Sequence, residues 1–188
     1  MNYPLSTQSY PRQSFALSAL HTLQYCPMIL RLSYTLAQKT KARPTALHPL
    51  NANAFADWSA HYIHANGDAF VIAVCTRSLY TVVVPAAGIV TPVTLDARIY
   101  AYLKDYLVSD GFEFFYRRLV DRDDEETTLS KLLDAESAAN LDDLGELVQY
   151  YLAEEGLSPE EAARKLNEIP LAALNHRSPR SVFKTMGF

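Results

Sequence analysis

The stretch DWSAHYIHANGDAFVIAVCTRSLYTVVVP, Asp57 to Pro85, constrains this chain more than any other part of it. Two runs rich in β-branched and aromatic residues flank Asn66-Gly67, the dipeptide best suited to positive φ at both centres of a tight hairpin turn. A third run, Ser78 to Val84, follows the short polar break Thr76-Arg77. The pattern predicts a three-stranded antiparallel meander as the spine of the fold. Along its first strand Trp58, Ala60 and Tyr62 share one face, and Asp57, Ser59 and His61 share the other. The second strand, Phe70 to Cys75, is apolar at nearly every position and is expected at the centre, covered on both faces.

The elements around this spine follow from local signals. Met28 to Ser33 reads as a further strand. Tyr34 to Lys41 reads as two turns of helix, ended at Arg43-Pro44 because the residue before a proline avoids the α region. Thr94 is the expected N-cap of a helix over Leu95 to Val108, stopped by Asp110-Gly111. Phe112 to Val120 fits either a strand or the start of a helix. Leu129 to Leu133 reads as a short helix, and Asn140 as the cap of a helix running through Leu152. Ser158-Pro159-Glu160-Glu161 supplies a cap hydroxyl, a first-turn proline and a glutamate three residues on, and Ser178-Pro179 repeats the cap and proline. Together these predict one α+β domain over residues 28–188. Its small, mostly antiparallel sheet, with strands near 28–33, 57–64, 69–76 and 79–84, packs against C-terminal helices. Residues 1–27 are polar, proline-punctuated and acid-free, and read as an N-terminal arm or as the product of a mis-assigned start.

Composition narrows the class. The chain is 49% hydrophobic and 20% charged over 188 residues, enough for one real core. No apolar run approaches the ~18 residues of a membrane span. Cys26 and Cys75 have no metal-type spacing, and two cysteines do not staple a scaffold of this size, so the compartment reads as reducing and cytoplasmic. Net charge is −4, unevenly spread: residues 1–56 hold Arg12, Arg31, Lys39, Lys41 and Arg43 and no acid, whereas Asp121 to Glu161 holds fourteen acids against Arg122 and Lys131. An acidic surface of that kind repels nucleic acid and attracts basic partners.

Three groups of residues could carry chemistry. Asp57 and His61, with His64 and His48 nearby in sequence, could form an acid/base pair or contribute metal ligands, with Asn140 or Asp143 arriving from the helices. On a strand, however, Asp57 and His61 sit about 13 Å apart. The acidic connector Asp121, Asp123, Asp124, Glu125 and Glu126 lacks the glycine and the spacing of a calcium loop. Arg31, Lys39, Lys41 and Arg43 could contact phosphate. There is no Walker loop, dinucleotide fingerprint, nucleophile elbow, His-Glu-x-x-His or Cys-x-x-Cys. No cofactor and no metal site are expected.

The order of certain short motifs carries a resemblance. Met28-Ile29-Leu30-Arg31 runs into the lysine-bearing stretch Thr35 to Lys39. Asp57-Trp58-x-Ala60 leads into an apolar strand, then Ser78 to Val83, a proline and Gly88. Leu166-Asn167-Glu168-Ile169-Pro170 precedes Ser178-Pro179-Arg180 and Phe183. Over about residues 28–188 the chain resembles an uncharacterised bacterial domain family of short stand-alone proteins. Members carry an Arg-Ser-Val-Leu-Gly-Ser-Met-Asn-Asp-like stretch where this chain has Ala138 to Leu144, matching at Asn140 and one of Asp142 and Asp143. The resemblance implies a fold and a bacterial setting and supplies no activity.

The reading that follows is a non-enzymatic interaction or regulatory module. Its expected partner is a protein, either a basic one or a second copy of the chain, held by the acidic helices or by an exposed sheet edge. A nucleic-acid-associated protein using the basic N-terminal third comes second, and a hydrolase centred on Asp57 and His61 third. No membrane association is expected.

Overall fold

The computed structural model describes residues 27–120 and 127–186. The meander forms as its turn chemistry dictates. Strands β2 (Asp57–Ala65) and β3 (Asp68–Cys75) pair antiparallel from Trp58↔Cys75 to Ala65↔Asp68. Asn66 and Gly67 between them hold φ of 52° and 83°, the doubly left-handed geometry that their side chains tolerate. Strand β4 (Thr81–Pro85) adds antiparallel to β3. It begins two residues later than expected, because Leu79 takes a left-handed turn conformation at φ 57°.

Strand β1 (Ile29–Leu32) lies parallel to β2, and its other neighbour is β5 (Thr128–Lys131), also parallel. The order is β4-β3-β2-β1-β5, so the sheet is mixed, with its two long ladders antiparallel. Strand β5 corrects the sequence reading, which made Leu129 to Leu133 a helix. The leucine spacing there suits a helix, but an open edge on β1 offers four residues a ladder, and pairing overrides local preference.

The helices are α1 (Tyr34–Thr40), α2 (Pro92–Ser109), α3 (Glu113–Phe115), α4 (Ala135–Ala153), α5 (Pro159–Glu168) and α6 (Pro179–Thr185). A π-helical stretch, Tyr116–Val120, extends α3, so the ambiguous segment is helical. Capping decides the starts. Ser158 and Glu161 form the expected box on α5, and Ser178 caps α6. Two caps differ from expectation. Thr91 caps α2, with Thr94 as its partner three residues on, and Asp134 caps α4, so Asn140 sits inside that helix. In both, an earlier side chain reaches the free amides first.

Both faces of the sheet are covered. On the Trp58 face, Phe183 of α6 is the centre of an aromatic cluster, with ring centroids 4.8 Å from Tyr80, 5.0 Å from Phe55, 5.2 Å from Phe112 and 6.3 Å from Trp58. On the His61 face, α4 comes close at Gly145, where an added Cβ would lie 3.2 Å from Ile63 Cγ2 and 3.5 Å from His61 Cδ2.

Candidate functional site

Arg31 and Asp57 come together, and what they form is a buried joint. Both side chains are fully buried. Asp57 Oδ1 accepts from Arg31 Nε and Thr76 Oγ1, each at 2.8 Å. Asp57 Oδ2 accepts from Arg31 Nη2 and the Asn51 amide, again each at 2.8 Å. The remaining guanidinium protons go to the carbonyls of His48 (2.8 Å) and Pro49 (2.9 Å) and to Ser130 Oγ (3.3 Å). All five Arg31 donors and all four carboxylate acceptor positions are used, the condition under which a buried ion pair is tolerable. The joint ties β1, β2 and β5 to the long loop between α1 and β2. His48 N–H adds a bond to Ser130 Oγ at 3.0 Å, and Lys131 N–H one to Ala46 O at 3.2 Å.

His61 is elsewhere, under α4. Its Nε2 is 3.7 Å from Asp142 Oδ1, and its buried Nδ1 has no hydrogen-bond partner among the described residues. Burial pushes its pKa below the usual imidazole value, against the pull of Asp142. A proton on Nε2, facing Asp142, leaves only a lone pair at the orphaned Nδ1. Thus Asp57 and His61 share a strand face but no hydrogen-bond partner. Asp142, rather than Asn140 or Asp143, meets the imidazole. His64 is exposed, with its ring edge-on to Tyr62 at 5.0 Å. Among the described residues no three His, Cys, Asp or Glu side chains gather as a ligand set. The connector Asp121 to Glu126 lies outside the described residues.

The cations of the N-terminal third separate. Arg31 is consumed by Asp57. Lys39 turns onto the Tyr62 ring, 5.1 Å from its centroid. Lys41 and Arg43 remain exposed and line a cleft of about 940 Å³, joined there by Lys131. Among the described residues these three side chains have no hydrogen-bond or ion-pair partner, and no acid lines the cleft. Leu32, Ala37, Ala42 and Leu132 give it an apolar floor, and Tyr34 stands at its rim, 77% exposed. Sequence reasoning missed Lys131 and Tyr34: Lys131 reads as one cation in an acidic tract, and only the pairing of β5 with β1 carries it to this place.

Topology explains why a cleft opens there. The chain leaves β1 into α1, which lies on the Tyr62 face. It leaves β5 into α4, which lies on the His61 face. Adjacent parallel strands whose following helices go to opposite faces leave a crevice beyond their carboxyl ends, where open sheets place ligands. Leu32 closes β1 and Lys131 closes β5 at that crevice. Lys41 is held in the left-handed region, φ 58° and ψ 21°, at the C-terminal cap of α1.

Three acids of the C-terminal helical region pair with cations of the chain. Glu155 pairs with Lys165, Glu160 with Arg164, and Glu168 with Arg180. A second cavity, about 380 Å³, has Asp110 and Glu168 beside Arg180 and Lys184, so its charges are mixed. Asn167 shields the outer edge of β4: its Oδ1 accepts from Thr81 N–H and its Nδ2 donates to Thr81 O, both at 2.8 Å.

Fold and cleft define an α+β protein with a cationic, apolar-floored crevice at the switch point of a mixed sheet. The chain belongs to the family described as domain of unknown function DUF6933, whose model matches residues 29–182. No curated protein and no solved structure matches the chain. No helix among the described residues is long and apolar enough to cross a membrane.

Proposed function

We propose that the protein is a non-enzymatic binding module of a regulatory kind, and that it holds an anionic ligand in the cleft beyond β1 and β5. The observation that carries this reading is the convergence of Lys41 and Arg43, two residues apart after α1, with Lys131 from the end of β5, on one concavity with no acid among its described lining residues. Like charges repel, so gathering three of them with no partner among the described residues costs stability that an anion would recover. The described lining of the cleft is cations, one amide, Gln38, the Tyr34 phenol and apolar side chains, with no carboxylate, histidine, serine or cysteine among them. The groups with acid/base character lie elsewhere: Asp57 is saturated by its structural hydrogen bonds, and His61 sits under α4. The sheet edge at β4 supports a protein partner less well, since Asn167 blocks it at Thr81.

Titration of the full chain with 1-anilinonaphthalene-8-sulfonate, followed by fluorescence, tests this. The account expects saturable binding at one site, lost in the Lys41→Gln/Arg43→Gln/Lys131→Gln variant. Equal binding by that variant would sink the proposal. The same cations could instead serve a nucleic-acid backbone, in which case affinity for an oligonucleotide would fall steeply with salt.

A further inference from the structure

Taking the cleft as a binding site, we infer that its occupant is a small amphipathic anion: a single carboxylate or phosphate group carried on an apolar body. The inference rests on the reading above and follows from how the lining is divided. The cations stand on the rim, one at the end of α1, one in the loop that follows and one at the end of β5. The floor between them is Leu32, Ala37, Ala42 and Leu132. Exposed lysines and arginines hold a free inorganic ion only weakly, because water screens the pair. Binding at low concentration therefore needs the apolar body of the ligand to leave water, and half-buried Leu132 and the exposed Tyr34 ring are the apolar surface it covers. The volume of about 940 Å³ is of the size that takes ligands of drug-like mass. Tyr34 adds an exposed aromatic ring at the rim, and its hydroxyl accepts from Gln38 Nε2 at 2.6 Å, which ties two lining side chains together.

A nucleic-acid strand fits this layout less well. A backbone needs a track of cations, and the neighbouring Arg31 and Lys39 are turned away, one into Asp57 and one onto Tyr62. Stacking would also need several aromatic platforms, whereas Tyr34 is the one aromatic among the described residues that line the cleft. Residues 1–26 carry Arg12 and no acid side chain, so they offer no side-chain anion for the site.

Calorimetric titration of the full chain at fixed salt separates the possibilities. The probes are octyl phosphate, octanoate, inorganic phosphate, octanol and a single-stranded oligonucleotide. One of the two octyl anions is expected to bind saturably, at least about tenfold more tightly than inorganic phosphate or octanol, and the ratio between them identifies the head group. Arg43→Gln and Lys131→Gln should each weaken the octyl anion about tenfold. Leu132→Ser should weaken it while leaving inorganic phosphate unchanged. These side chains are exposed or half-buried, and an unchanged amide NMR spectrum verifies that each variant is folded. If inorganic phosphate bound as tightly as octyl phosphate, the amphipathic ligand would be ruled out while the binding reading stood. Tighter, steeply salt-dependent oligonucleotide binding would replace it with nucleic acid. Heat from none of the probes would overturn both readings.

Discussion

Asp57 looks, in sequence, like half of an acid/base pair, and in the fold it is the anchor of Arg31. The difference lies in which neighbour completes its hydrogen bonds, and sequence distance hides that neighbour 26 residues away. Asp57→Asn keeps the shape and strands the guanidinium charge in the interior. It should cost about 3–5 kcal/mol in urea unfolding, and a loss under about 1 kcal/mol would contradict the buried joint. Lys41 is the converse case. Its left-handed backbone suits glycine, so Lys41→Gly should stabilise the fold by about 1 kcal/mol while weakening anion binding. An unchanged or lower unfolding midpoint would show that Lys41 bears no backbone strain. His61 links to pH. Its folded pKa lies below the unfolded value of about 6.5, so the unfolded chain takes up the proton first. Its contribution is intact above about pH 6.5 and is lost as pH falls through the depressed folded value. Urea unfolding of the parent chain should therefore weaken between pH 7.5 and pH 5.5 by more than that of His61→Gln. Parallel pH profiles would contradict this.

At the scale of elements, the parts with strong local rules were legible. Asn66-Gly67 fixes the hairpin, the apolar run of β3 marks it as an interior strand, one place off the centre held by β2, and proline-bearing caps fix the starts of α5 and α6. The failures share a cause. Strand β5 exists because β1 has an open edge, a fact no window around Leu129 contains, and α4 starts at Asp134 because that carboxylate captures the Ser137 amide at 2.7 Å. The motifs behind the family resemblance prove to be architectural: Arg31 meets Asp57, Trp58 meets Phe183, and Asn167 clamps β4. Asn167→Ala should cost about 1–3 kcal/mol, since it strips two backbone partners from buried Thr81. It should also bare a strand edge and promote self-association, visible by light scattering. A variant as stable as the parent and monodisperse would show that the clamp contributes little.

Across the whole molecule, half of the candidate site was visible beforehand. Lys41 and Arg43 stood out as unopposed cations in an acid-free third of the chain. Lys131, Tyr34 and the apolar floor did not, because they assemble only when two parallel strands end side by side and send their helices to opposite faces. The Arg31–Asp57 joint then pins the loop whose first residues form the cleft wall, so stability and binding share one support. The most direct test is an amide chemical-shift map of the full chain titrated with octanoate. The account predicts saturable shifts concentrated at residues 32–44 and 131–132. Shifts centred instead on His61, Asp142 and Gly145 would place the functional site under α4 and contradict it.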